Sequence, residues 1–313
     1  MELKTKKGLI FGIIGVIFVG LQPIVAKTRP LVINAYLAAA MTCLVEAAIF
    51  LPLMLLELRK INRTNLKNGN DKIKGLKGWK DNFWLLFSIG IIFAINQILF
   101  FVGYDLAGAI NGSLTQKTTV FFSLFLGYLI LGERITKLQI LFSIVLFFGL
   151  SIGITQFFSL FELDLTILIG VSILLLISFL WMVGHTLTKP MFTRKELTPI
   201  QMVFLRNFLS GLIIIMTFFL IYPFDLNLFF EPANYLFYLR MGAVYGAGLV
   251  CWYKTLSLLD VSKASTIFGV TPITSALFAT LFLEEIFTLA HFVGTIIVII
   301  SIVLIVNQKK SPE

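Results

Sequence analysis

The chain has 313 residues, of which 58% are hydrophobic and only 13% charged, with a net charge of +9. Its mean hydropathy of +0.96 excludes a soluble domain and leaves room for about ten membrane spans of ~20 residues each. The positive charge does not mark a nucleic-acid binder, because the basic residues cluster in short gaps between apolar runs, where they report topology.

The apolar runs are continuous and do not alternate with period two, so helices are predicted and barrel strands are not. The first run, 8–26, follows Lys4, Lys6 and Lys7. It is too long for a signal-peptide core and lacks a small-x-small cleavage site, so it reads as a retained first helix. Gln22 and Pro23 lie near its end, ahead of Lys27, Arg29 and Pro30. Span two, 31–56, contains Glu46 without a basic residue on the same helix. Between about 57 and 82 the composition turns to Lys, Arg, Asn and Gly, which predicts a flexible, solvated loop. Span three, 83–104, holds Asn96 and Gln97.

Span four ends at Leu131 and carries near its start the stretch Asn111-Gly-Ser-Leu-Thr-Gln-Lys-Thr-Thr119. A lysine in the body of an apolar run costs about 2.5–3.5 kcal/mol on insertion scales, so Lys117 faces something other than lipid. With Ser113, Gln116 and the neighbouring threonines it suggests a polar helix face on a wet cavity. The alternatives are a snorkelling lysine or a tether between two helices.

Span five, 138–158, is apolar throughout and is suited to face lipid or a second copy. Span six, 165–188, holds Trp181 and His185, and span seven, 198–222, holds Arg206 and Asn207. Span eight, 235–258, has Arg240 and Lys254 near its ends and Tyr245 and Trp252 within it. Span nine, 262–283, is interrupted by Pro272, and span ten covers 288–306. Cys43 and Cys251 lie inside apolar runs without metal-ligand spacing. Of the 25 Lys and Arg residues, 19 fall in one set of alternate gaps and only Lys27 and Arg29 in the other. This asymmetry predicts a multi-pass cell-membrane protein with both termini cytoplasmic.

Displacing the sequence on itself by 152 positions aligns 82–153 with 234–305 without a gap. It pairs Asn82 with Asn234, Gly90 with Gly242, Ser113 with Ser265, Thr119 with Thr271, Ser123 with Ser275, Glu133 with Glu285 and Thr136 with Thr288. Five spans separate each pair, an odd number, so the halves 1–160 and 161–313 enter the membrane in opposite directions. The expected fold class is therefore all-α integral membrane: ten transmembrane helices as two inverted five-helix repeats around a central cavity.

The shared units Leu131-Gly-Glu-Arg-Ile-Thr136 and Leu283-Glu-Glu-Ile-Phe-Thr288 resemble the motif that closes the fourth helix of each half in EamA-type transporters of the drug/metabolite transporter superfamily. Lys27, Lys189, Arg206 and Pro272 are in keeping with that resemblance. It departs where Glu284 replaces the usual Gly, where Val120 stands opposite Pro272, and where the first half has no counterpart of Arg206. The resemblance implies a cavity lined by spans one, three, four, six, eight and nine, with five and ten peripheral. Glu46 and Arg206, on spans two and seven, would then lie off the cavity.

Candidate substrate contacts are Lys117, Gln116, Ser113, Asn96, Gln97, Gln22, Trp181, Trp252 and Tyr245, although packing is the better reading of any one of the aromatic residues. Glu46 and His185 are candidates for ion coupling. The alternatives are a structural pair with Arg206 for Glu46 and a hydrogen-bonded wall position for His185. Glu133, Glu285, Pro272 and Arg206 read as structural. No paired catalytic carboxylates, phosphate-binding glycine loop, Walker sequence or metal spacing is present in the sequence, so neither an enzyme nor a cofactor nor a metal is expected. The sequence best fits a secondary transporter, working by alternating access without ATP. Lys117 suits a small organic metabolite such as an amino acid or another carboxylate-bearing solute. A membrane enzyme acting on lipid-linked substrates and a channel or facilitator are the competing classes. Partners are the solute, membrane lipids and, through spans five and ten, a second copy in a homodimer.

Overall fold

All regular structure among the described residues is helical. The structure, a computed structural model, describes residues 2–67, 76–132, 134–157, 164–222, 227–259 and 261–307. Its helices are α1 (Glu2–Lys27), α2 (Ala35–Lys67), α3 (Leu76–Asp81), α4 (Phe83–Ala107), α5 (Ala109–Thr115), a 3₁₀ turn (Gln116–Thr118) and α6 (Thr119–Leu131). They continue as α7 (Lys137–Thr155), α8 (Leu165–Thr193), α9 (Pro199–Ile221), α10 (Asn227–Phe230), α11 (Pro232–Leu258), α12 (Val261–Phe268), α13 (Thr271–Leu283) and α14 (Leu289–Asn307).

Three expectations change. Helix α2 runs on to Lys67, past the expected end at 56, because Leu, Glu, Arg and Lys sustain a helix after it leaves an apolar phase. The short α3 occupies another part of the expected loop, while 68–75 lies outside the described residues. Span four is broken in two rather than continuous, whereas span nine breaks just before Pro272, the residue expected to interrupt it. Seven helical stretches are long and apolar enough to cross a membrane, in spans one, two, three, five, six, seven and nine, the last counted across its break from Thr266 to Leu283. The break divides span four, Asn234, Arg240 and Lys254 dilute α11, and the apolar part of α14 is shorter.

Helix ends are fixed locally. Thr136 and Gln139 form a capping box at the start of α7, and Thr198 and Gln201 form another at α9. At α14 the same reciprocity links Thr288 to His291, with the histidine Nδ1 accepting from the Thr288 amide at 3.2 Å. Each box satisfies amides that the first turn of a helix leaves unpaired. Asp164 caps α8 by accepting from the Thr166 amide at 2.8 Å, which holds its carboxyl below the usual carboxylate range. The ends of α6 and α13 turn left-handed at Gly132 (φ 68°) and Glu284 (φ 57°). Glycine adopts this conformation without a Cβ penalty and glutamate does not.

The packing repeats as the sequence does. Helix α1 lies against α11, and α8 against α4; α11 touches α2, and α4 touches α9; α2 pairs with α9, and α7 with α14. Exchanging α1 with α8, α2 with α9, α4 with α11 and α7 with α14 maps this arrangement onto itself. The last pair packs spans five and ten against each other on one face. Their backbones meet at glycines: a Cβ on Gly294 would lie 2.5 Å from the Gly149 carbonyl oxygen and 2.8 Å from the Gly153 nitrogen. Small residues permit such close approach where lipid offers no hydrophobic driving force. The outer faces, with Ile144, Phe148, Ile296 and Ile300, are exposed.

Candidate functional site

Both broken helices converge on the protein's middle, and the break in the first half explains much of its polarity. Thr115 Oγ1 donates to the Asn111 carbonyl at 2.7 Å, Thr118 Oγ1 to Thr115 at 2.8 Å and Thr119 Oγ1 to Gln116 at 2.8 Å. Carbonyls around a 3₁₀ turn cannot all be satisfied by the helix ladder, and water is absent in a bilayer core. Nearby hydroxyls replace it. Ser113 likewise donates to Ile110 at 3.0 Å, and Asn111 bonds Ala107 and His291.

In the second half, α12 stops at Phe268 and α13 begins with Thr271 and Pro272. Proline is accepted in a first turn because it has no amide to leave unpaired. Lys117 Nζ donates to the Phe268 carbonyl at 3.0 Å and to Thr271 Oγ1. Thr271 Oγ1 in turn donates to the same carbonyl at 2.8 Å. The ammonium thus sits at the C-terminal end of α12, where the helix dipole favours a cation. Lys117 is the repeat counterpart of Gly269, so the lysine of one half reaches the break of the other at the position where that half has no side chain.

Around this contact lies a cavity of about 90 Å³. Gln22 of α1, Gln116 and Lys117 of the 3₁₀ turn, Trp181 and His185 of α8, and Tyr245 and Trp252 of α11 line it, together with Phe268 and Arg206. Gln22 Nε2 donates to the Tyr245 carbonyl at 3.4 Å. His185 is surrounded by the rings of Phe93, Trp252 and Tyr253, with centroids 5.2–5.4 Å away, and its Nδ1 has no hydrogen-bond partner. Trp252 Nε1 and Gln116 Nε2 are also buried and unpartnered. Polar atoms left so inside a protein are groups a ligand or water would satisfy. Among the described lining residues two are basic, Lys117 and Arg206, and none is acidic.

Three candidates fall elsewhere. Asn96 and Gln97 are buried on α4 but do not line the cavity, and Ser113 is turned to its own helix. Arg206 moves in the opposite direction. Placed off the cavity by the resemblance, it lines the cavity and stacks its guanidinium over Phe93 at 3.9 Å. Its side chain is long enough to extend from α9 to the Phe93 ring of α4. Glu46 is fully buried rather than lipid-exposed, with neither oxygen hydrogen-bonded. Glu285 accepts from the amides of Ala109 at 2.8 Å and Ile110 at 3.0 Å, capping α5 of the other half. Its counterpart Glu133 lies outside the described residues.

A helical membrane protein whose packing repeats around an internal polar cavity has the architecture of a membrane transporter. The sequence profile of the EamA-like transporter family matches residues 6–155 and again 168–307. The chain belongs to that family, a family of transporters and not of enzymes. Its fold is similar to that of a protein of known crystal structure, with a TM-score of 0.64 over 96% of each chain at 11% identity. A comparison with curated proteins finds no match.

Proposed function

We propose that the protein is a gradient-driven carrier of a small carboxylate-bearing metabolite, such as an amino acid, working by alternating access without ATP. The observation that carries the reading is the lining of the cavity: two basic side chains, no carboxylate among the described residues, and aromatic walls from Trp181, Tyr245 and Trp252. Basic groups in a desolvated site favour an anionic group, and the aromatic rings favour an apolar remainder. Two repeats, 1–160 and 161–313, would form ten spans of inverted orientation. Alternating access would then come from rocking one repeat against the other around the fixed cavity. Counterflow in proteoliposomes tests the reading. Labelled carboxylic acids should accumulate against an unlabelled internal pool, and their carboxamide analogues should not. Equal uptake of acid and amide would remove the charge argument.

The same reading places the protein in the cell membrane with both termini in the cytoplasm, on the strength of the charge asymmetry of the loops. Cysteines introduced at the exposed positions Lys80 and Glu231 should react with an impermeant maleimide from opposite sides. In intact cells Glu231→Cys should label and Lys80→Cys should label only after permeabilisation.

A further inference from the structure

Beneath the cavity lies a cluster that the carrier reading leaves unexplained. Helices α2 and α9 run alongside each other in a register fixed by three contacts. Tyr36 donates to Thr217 at 2.6 Å, a Cβ on Gly211 would lie 3.2 Å from that of Cys43, and Thr198 hydrogen-bonds Glu57. Continuing that register brings Glu46 level with Arg206 and Asn207. On the third side α11 presents glycine: a Cβ on Gly246 would stand 2.9 Å from Glu46 Cγ. Glu46 has 0% and Arg206 2% of its surface exposed. Both Glu46 oxygens, Arg206 Nε and both Asn207 side-chain polar atoms lack hydrogen-bond partners. A carboxylate and a guanidinium at one level of a low-dielectric interior interact strongly, yet here they do not close a hydrogen-bonded pair. Arg206 instead leans over Phe93 and lines the cavity.

We propose that Arg206 anchors the carboxylate of the transported solute and that Glu46 is its resident competitor, taking up a proton when the solute's carboxylate arrives. This rests on the carboxylate-carrier reading and adds to it a coupling ion. Lys117 already donates to Phe268 and Thr271 and keeps one N–H for the solute, so it can add a single hydrogen bond but not a two-point anchor. An Arg presents five donors in a planar fork suited to a carboxylate. The solute carboxylate and an ionised Glu46 would compete for one guanidinium, so the solute binds the form of the protein in which Glu46 carries a proton. That proton passes from solution to a Glu46 oxygen, forming an O–H bond, and the buffer acid that supplied it remains as its base. The other groups around Glu46 are Arg206 and Asn207 from α9, Tyr245 and Tyr253 from α11, and Cys43 on its own helix. Helix α4, also packed on α2, carries its titratable groups, Tyr104 and Asp105, in its last turn. On this account substrate and proton move in the same direction.

Calorimetric titration of the purified protein with phenylacetate and with phenylacetamide, in two buffers of different ionisation enthalpy, tests the proposal. Phenylacetate should bind with net proton uptake, and phenylacetamide with none. Glu46→Gln, nearly the same in shape, should abolish the uptake and tighten phenylacetate binding about tenfold, the effect of removing one nearby like charge. Arg206→Met should weaken phenylacetate more than phenylacetamide, and Arg206→Lys less so; if Arg206→Met does not fold, the Glu46→Gln arm stands alone. If phenylacetate binds without proton uptake and Glu46→Gln leaves its affinity unchanged, the competitor role is overturned while the carrier reading stands. If phenylacetate binds no better than phenylacetamide, the carboxylate reading itself fails and this proposal with it.

Discussion

Replacing Lys117 with methionine is expected to weaken binding of a carboxylate solute by about 10–150-fold, the ~1.5–3 kcal/mol of a hydrogen bond to a charged group. The same substitution removes both donors at the break between α12 and α13. The Phe268 carbonyl keeps the Thr271 hydroxyl as a partner, so thermal stability should fall only modestly. Thr271→Val separates the two effects. It deletes the hydroxyl that receives the ammonium and leaves the charge beside the cavity, so stability should drop while the preference for acid over amide persists. Melting curves and equilibrium binding on both variants decide the matter. A Lys117→Met protein that melts early yet binds phenylacetate normally would make Lys117 a tether and nothing more.

Glu285→Ala is expected to destabilise the protein by about 2–4 kcal/mol, since a carboxylate that caps two amides loses two charge-assisted hydrogen bonds. The amides belong to Ala109 and Ile110, at the start of α5, and the carboxylate follows the end of α13. The contact therefore ties the broken helix of one half to that of the other. Glu285→Gln keeps one acceptor oxygen and should lose about half as much. Denaturant titration in detergent reads both, and equal loss from the two variants would show that charge, not hydrogen-bond count, stabilises the junction.

The membrane helices were legible because long apolar runs separated by charged gaps leave few alternatives, and the repeat was legible because identical pairs recur at one offset. The breaks were harder. Pro272 marks the one in span nine, but Gln116, Lys117 and Thr118 contain neither glycine nor proline. Their 3₁₀ turn is visible only once the threonine hydroxyls are seen bonding back to carbonyls. The sequence presents this stretch as a polar face on a cavity, and the structure divides it: Gln116 and Lys117 line the cavity, whereas Asn111 and Ser113 serve the backbone and α14. Asn96 and Gln97 show the same limit, since sequence gives a residue's polarity but not the azimuth of its helix. Arg206 was misplaced for a different reason. The cost argument applied to Lys117 holds equally for an arginine in the middle of span seven, but the implied ring of cavity helices set it aside.

The glycine crossing of α7 and α14 bears on how such a molecule can move. Gly294 brings the main chain of α14 against that of Gly149 and Gly153 on α7, so the helices cannot slide past one another there without a collision of main-chain atoms. They can still swivel about the point of contact, as closely apposed rods do. The crossing therefore sets the distance between α7 and α14, and any side chain larger than hydrogen at Gly294 would force the two main chains apart.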